Sequence, residues 1–121
     1  MVKRILACLF LASSSFGQDT YILVADWVDD KLVVYVNDVQ VYSFMQPNEA
    51  GRDTLFDLTN YLQKEKNTVR LQVYDVGRVR WRADFKIFKN NKLFWKDHKS
   101  GESTFSDPEL RYDQTVQINK K

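Results

Sequence analysis

The chain has 121 residues, with 18 Lys and Arg against 16 Asp and Glu, one histidine and one cysteine. That length supports one modest core and leaves no material for a second domain. Near-balanced charge removes the overall pull that nucleic-acid binding uses, and one cysteine with one histidine cannot supply the usual nitrogen and sulfur ligands of zinc.

The first seventeen residues have the order of a secretory signal peptide: Lys3-Arg4, an apolar run from Ile5 to Ala12, then small residues ending Ser15-Phe16-Gly17. The apolar run is too short to remain as a membrane span. Cleavage is therefore expected after Gly17, giving a mature chain 18–121 of 104 residues that is secreted or periplasmic. Cys8, Lys3 and Arg4 would leave with the signal, so the mature protein is expected to form no disulfide and to hold 16 bases and 16 acids.

Tyr21 to Val28 and Leu32 to Val36 are rich in β-branched and aromatic residues and are predicted strands, with Asp29-Asp30 as the turn between them. Asn37-Asp38 separates the second from Val39 and Val41, and asparagine and aspartate accept the positive φ that a two-residue hairpin turn needs. Gln46 to Arg52 reads as a loop. Thr59 to about Lys64 is the one helical turn, capped by Asp57 or Thr59, with Tyr61 and Leu62 folding back on the sheet. Segment 68–75 alternates Val69, Leu71, Val73 with Arg70, Gln72, Tyr74, and is a strand with one buried face. Segment 79–87 puts Val79, Trp81, Ala83, Phe85 and Ile87 on one face and Arg80, Arg82, Asp84 and Lys86 on the other. Asn90-Asn91 repeats the turn device, Asp97 to Glu109 reads as the second long loop, and Arg111 to Ile118 is the last strand, with Gln114 the polar exception on its inner face. The fold class is all-β, an antiparallel β-sandwich with one short helical turn.

Asp30-Lys31-Leu32-Val33-Val34-Tyr35-Val36-Asn37-Asp38-Val39-Gln40-Val41, then Phe56-Asp57-Leu58-Thr59-Asn60-Tyr61-Leu62, then Asn67-Thr68-Val69-Arg70-Leu71-Gln72-Val73-Tyr74-Asp75, resemble the galactose-binding-like jelly-roll domains that accompany many glycoside hydrolases. The resemblance covers about residues 26 to 95 and implies a jelly-roll sandwich that binds carbohydrate through its end loops. The chain departs from that pattern after the inner strand, where Val76-Gly77-Arg78 replaces a loop rich in glycine and tryptophan. No functional residue transfers by position.

Catalytic chemistry is poorly served. His98 stands beside Asp97 in a polar stretch, but no serine or cysteine sits in a strained nucleophile turn and no glycine-rich frame for an oxyanion is present. Asp26, Asp29 and Asp30 cluster at one predicted turn and Asp107, Glu109 and Asp113 at another, which leaves oxygen-ligated calcium open without the spacing of a calcium loop. Of the three tryptophans, Trp81 and Trp27 are assigned to the core by alternation, and Trp95, near the mouth of the 97–109 loop, is the candidate exposed ring for stacking on a sugar. Charge is polarised along the sequence: residues 19–62 carry −6, and residues 76–100 carry +6. Arg78, Arg80, Arg82 and Lys86 project from one strand face as a row that suits an anionic partner, or that pairs with acids on neighbouring strands.

The sequence thus describes a non-catalytic exported binding module with no cofactor and no metal. Its ligand residues are expected among Trp95, Asp97, His98, Arg78, Arg80, Arg82 and Lys86. Carbohydrate is the favoured ligand; an acidic protein surface of the bacterial envelope is the alternative, and a small hydrolase the third reading.

Overall fold

The computed structural model describes residues 18–51, 54–75, 80–102 and 109–120, with backbone alone over 46–51. The expected signal segment and Arg78 lie outside the described residues. The elements are β1 (Tyr21–Val36), β2 (Val39–Gly51), β3 (Thr54–Asp57), a 3-10 turn (Thr59–Tyr61), β4 (Lys66–Asp75), β5 (Arg80–Lys89), β6 (Lys92–Glu102) and β7 (Glu109–Asn119). Every pairing is antiparallel, so the all-β antiparallel class expected from the alternation is what the chain adopts.

The long strand β1 organises everything else. Its first half pairs with β3 on one side and β5 on the other, and its second half pairs with β2 and β4. Adding β6 outside β5 and β7 outside β4 gives the order β6-β5-β1-β4-β7, with β2 and β3 along the other side of β1. This one sheet curls into a half-barrel, so its two halves face each other as layers of a sandwich would. Phe85 of β5 meets Tyr112 of β7 with ring centroids 5.2 Å apart, and Tyr42 of β2 stacks on Phe56 of β3 at 4.6 Å. Side chains with period two fill the space between: Val69, Leu71 and Val73 from β4, Ala83, Phe85 and Ile87 from β5, Tyr112, Val116 and Ile118 from β7. Full burial of each large apolar side chain contributes about 1.5–3 kcal/mol. Gln114 falls in the same alternation as Tyr112 and Val116 and pairs with buried Leu71, yet it is exposed.

Expected turns and loops divide into two groups. Asn37 and Asp38 (φ 50° and 68°) and Asn90 and Asn91 (φ 51° and 67°) are the two-residue hairpin turns predicted. The helical turn begins at Thr59 as expected but is a 3-10 turn that ends at Tyr61 rather than near Lys64, with the Thr59 N–H donating to Asp57 Oδ1 at 2.9 Å and the Tyr21 N–H donating to Thr59 Oγ1 at 2.9 Å. Leu62 packs against the core, whereas Tyr61 stays half exposed against Phe56. Asp29-Asp30, however, is no turn: β1 runs straight through it, with Asp30 at φ 74° inside a register shift. The expected loop at 46–52 is largely the end of β2, and the described first part of that at 97–109 is strand, because pairing of β6 with β5 as far as Glu102 overrides polar composition.

A bulge in β1 decides what faces the solvent. Ala25 pairs with Phe85 but Trp27 pairs with Asp84, so Asp26 is an extra residue and the alternation changes phase. Tyr21, Leu23 and Ala25 point inward before it, and Val28, Leu32, Val34 and Val36 after it. Trp27, assigned to the core from the sequence, is turned to the outer face by this one residue. Trp81 is in the core as expected, and its indole lies so close to Gly101 that a Cβ there would stand 2.8 Å from Nε1.

Candidate functional site

Side chains of the basic row converge with β6 on the outer face of the β3-β1-β5-β6 half. Arg80, Arg82, Asp84 and Lys86 project from β5, and Lys96, His98 and Ser100 from β6 opposite them. Asp84 and His98 are direct cross-strand partners. One carboxylate oxygen of Asp84 bonds the imidazole Nδ1; the other accepts from Arg82, from Nε at 2.9 Å and Nη2 at 2.5 Å. Burial pulls the Asp84 carboxyl upward, but the bonds from Arg82 and His98 outweigh it and hold its pKa below the ordinary value.

The guanidinium of Arg82 also lies over the Trp27 ring, 5.0 Å from its centroid, while the indole N–H donates to Asp29 Oδ1 at 3.1 Å. Lys86 pairs with Asp26 of the bulge at 3.1 Å, and Lys89 with Asp19 at 3.8 Å. The polarised charge of the sequence is thereby explained: β5, from the basic stretch, lies against β1, from the acidic one. Arg80 is exposed, and it has no ion-pair partner among the described residues.

Two of the expected ligand residues are not on this face. Trp95 is half buried against the core and Asp97 points inward, accepting from the Tyr112 hydroxyl at 2.7 Å. Burial and this bond to a carboxylate both push the Tyr112 phenol up. The reason is a second bulge. A plain two-residue hairpin at Asn90-Asn91 would set Trp95 opposite Lys86, on the outer face; instead the register shifts at Phe94 and pairs Trp95 with Ile87. The sequence neighbours Asp97 and His98 therefore lie on opposite sides of the sheet and form no dyad. The partner that His98 does have, Asp84, was visible only as one more charge on a wet strand face.

Asp26, Asp84, Lys86, Lys96 and His98 line an open depression of about 410 Å³. A second hollow of about 560 Å³ adjoins it, bounded by Trp27, Arg80, Arg82 and Glu102. Carboxylate, imidazole and ammonium groups side by side offer both acceptors and donors to a polar ligand. Among the described residues no hydroxyl bonds the imidazole, although Ser100 stands on the same face. The expected acid clusters also separate: Asp26 and Asp29 face outward, Asp30 is buried, and Asp113 is held by Arg70 at 2.7 Å. No group of three metal-ligating side chains assembles among the described residues.

No known protein family matches this chain, and neither does any curated protein or solved structure. Fold and site together define an all-β antiparallel protein with a mixed-charge depression on one sheet face.

Proposed function

We propose that the protein is a non-catalytic, exported binding module whose ligand is carbohydrate, held on the outer face of β1, β5 and β6. The observation that carries this reading is the 410 Å³ depression in which Asp26, Asp84, Lys86, Lys96 and His98 place hydrogen-bonding groups together. Its volume is within the range of about 300–1,000 Å³ usual for small-ligand sites. Sugars present vicinal hydroxyls that both donate and accept, and paired, oriented polar side chains answer them. Trp27, half exposed beside Arg82, adds an aromatic surface at the margin. The curled antiparallel sheet is compatible with the galactose-binding-like sandwich that the sequence resembles, with the ligand here on a sheet face rather than on end loops. The signal-like first seventeen residues support export to the periplasm or beyond.

Glycan-array binding of the purified protein tests it. His98→Ala is expected to weaken the best glycan up to about tenfold with the melting temperature little changed, since the residue is exposed and a lost hydrogen bond between neutral groups is worth about 0.5–1.5 kcal/mol. Unchanged binding would remove this face as the site.

A protein partner is favoured by one further observation. Ile22, Val24, Leu55 and Phe88 form an apolar strip on the same face, with Leu55 65 % exposed. Leu55→Lys separates the readings: it should abolish capture of an envelope protein and leave glycan binding intact.

A further inference from the structure

We infer that the carbohydrate bound in the depression is acidic, a uronic-acid oligosaccharide whose carboxylate sits between Lys86 and Lys96; this rests on the carbohydrate reading above. The two lysines are direct partners in the β5–β6 ladder. Like charges at such positions, with Cβ atoms about 5 Å apart, destabilise a sheet. Neighbouring acids relieve only one member of the pair. Asp26 is already engaged by Lys86 at 3.1 Å, and Asp84 is saturated by Arg82 and His98. Asp97, next to Lys96 in sequence, is on the other side of the sheet and bonded to Tyr112. Lys96 is exposed and has no carboxylate partner among the described residues. Lys96 is thus a cation of the depression with no carboxylate among the described residues, and it lies where like charges already oppose each other.

His98 completes the recognition. Its Nδ1 is taken by Asp84 and its side chain is 64 % exposed, so Nε2 is the nitrogen left for a ligand. With the proton on Nδ1, Nε2 accepts a hydrogen bond from a hydroxyl. Lys96 and His98 are two residues apart on one strand, about 7 Å, the scale of one pyranose ring. A uronic acid carries a carboxylate and hydroxyls on such a ring, which matches both groups at once. A simple anion uses only the lysines.

The test is calorimetric titration of the protein with a panel of uronic oligosaccharides, galacturonic and mannuronic, each beside its methyl ester, which keeps the ring and removes the charge. At least one acid is expected to bind tenfold or more tightly than its ester. Lys96→Glu should abolish that preference while keeping or raising the melting temperature, because a carboxylate there pairs with Lys86. Equal binding of acid and ester, or a preference that survives Lys96→Glu, overturns the acidic assignment and leaves the carbohydrate reading standing. Competition by inorganic phosphate as effective as by the oligosaccharide also overturns it. Failure of every acid, every ester and every neutral glycan on the array sinks the carbohydrate reading itself.

Discussion

Asp84 shows how one side chain acquires its role from its neighbours rather than from its type. In sequence it breaks a row of bases; in space it is the acceptor that fixes both Arg82 and His98. Its pKa is depressed in the folded chain below the ordinary 3.8. The native state therefore binds fewer protons than the unfolded one near that pH, so the stabilisation is complete above the ordinary value and is lost as pH falls through the lower native one. Asp84→Asn should lower stability at neutral pH by about 0.5–1 kcal/mol, a small value because the partners are solvated. Urea titrations of both proteins should converge as the pH falls below the depressed native value. A gap that persists in acid would mean that the carboxylate charge contributes nothing.

At the scale of elements, the paired asparagine turns divide their work between two positions. In the first turn Asn37 Oδ1 accepts from the Thr68 N–H at 2.9 Å and its Nδ2 donates to Asn67 Oδ1 at 2.9 Å. In the second, Asn90 Oδ1 accepts from the Thr20 N–H at 2.9 Å. Among the described residues Asp38 and Asn91 make no comparable bond across the sheet and only tolerate φ 68° and 67°. Glycine at 38 should accordingly stabilise by a few tenths to about 1 kcal/mol, by removing the left-handed backbone penalty. Glycine at 37 should cost about 1 kcal/mol, through the lost bonds. Urea midpoints of Asp38→Gly and Asn37→Gly moving in the same direction would refute this division. Turn identity was legible because it depends on the residue alone; the buried Asn67, which joins the turn to the Gln63 backbone and to the Ile118 carbonyl, was read only as part of a resemblance.

Over the whole molecule, the two halves of one sheet hold together by apolar packing and by few polar links. The Tyr112 hydroxyl bonded to Asp97 joins β7 of one half to β6 of the other. Tyr112→Phe keeps the ring against Phe85 and should cost about 1.5–3 kcal/mol, the worth of a hydrogen bond to a charged group. A melting temperature unchanged by this variant would show that ring packing alone closes the half-barrel. The same curl leaves the outer surface of one half open to solvent, with charge on β5 and β6 and the apolar strip near Leu55.

Sequence alone determined the all-β class, the faces of β4, β5 and β7 and both tight turns, because unbroken period two and a positive φ are properties of a few adjacent residues. Tertiary structure alone decided the register across β1 and β6. An extra residue at Asp26 turned Trp27 outward, and one at Phe94 turned Trp95 and Asp97 inward and brought His98 to Asp84. A bulge costs little locally and leaves almost no mark on composition. Its position is fixed by which side chains fit between the two halves of the sheet, and that is settled only when distant strands pack.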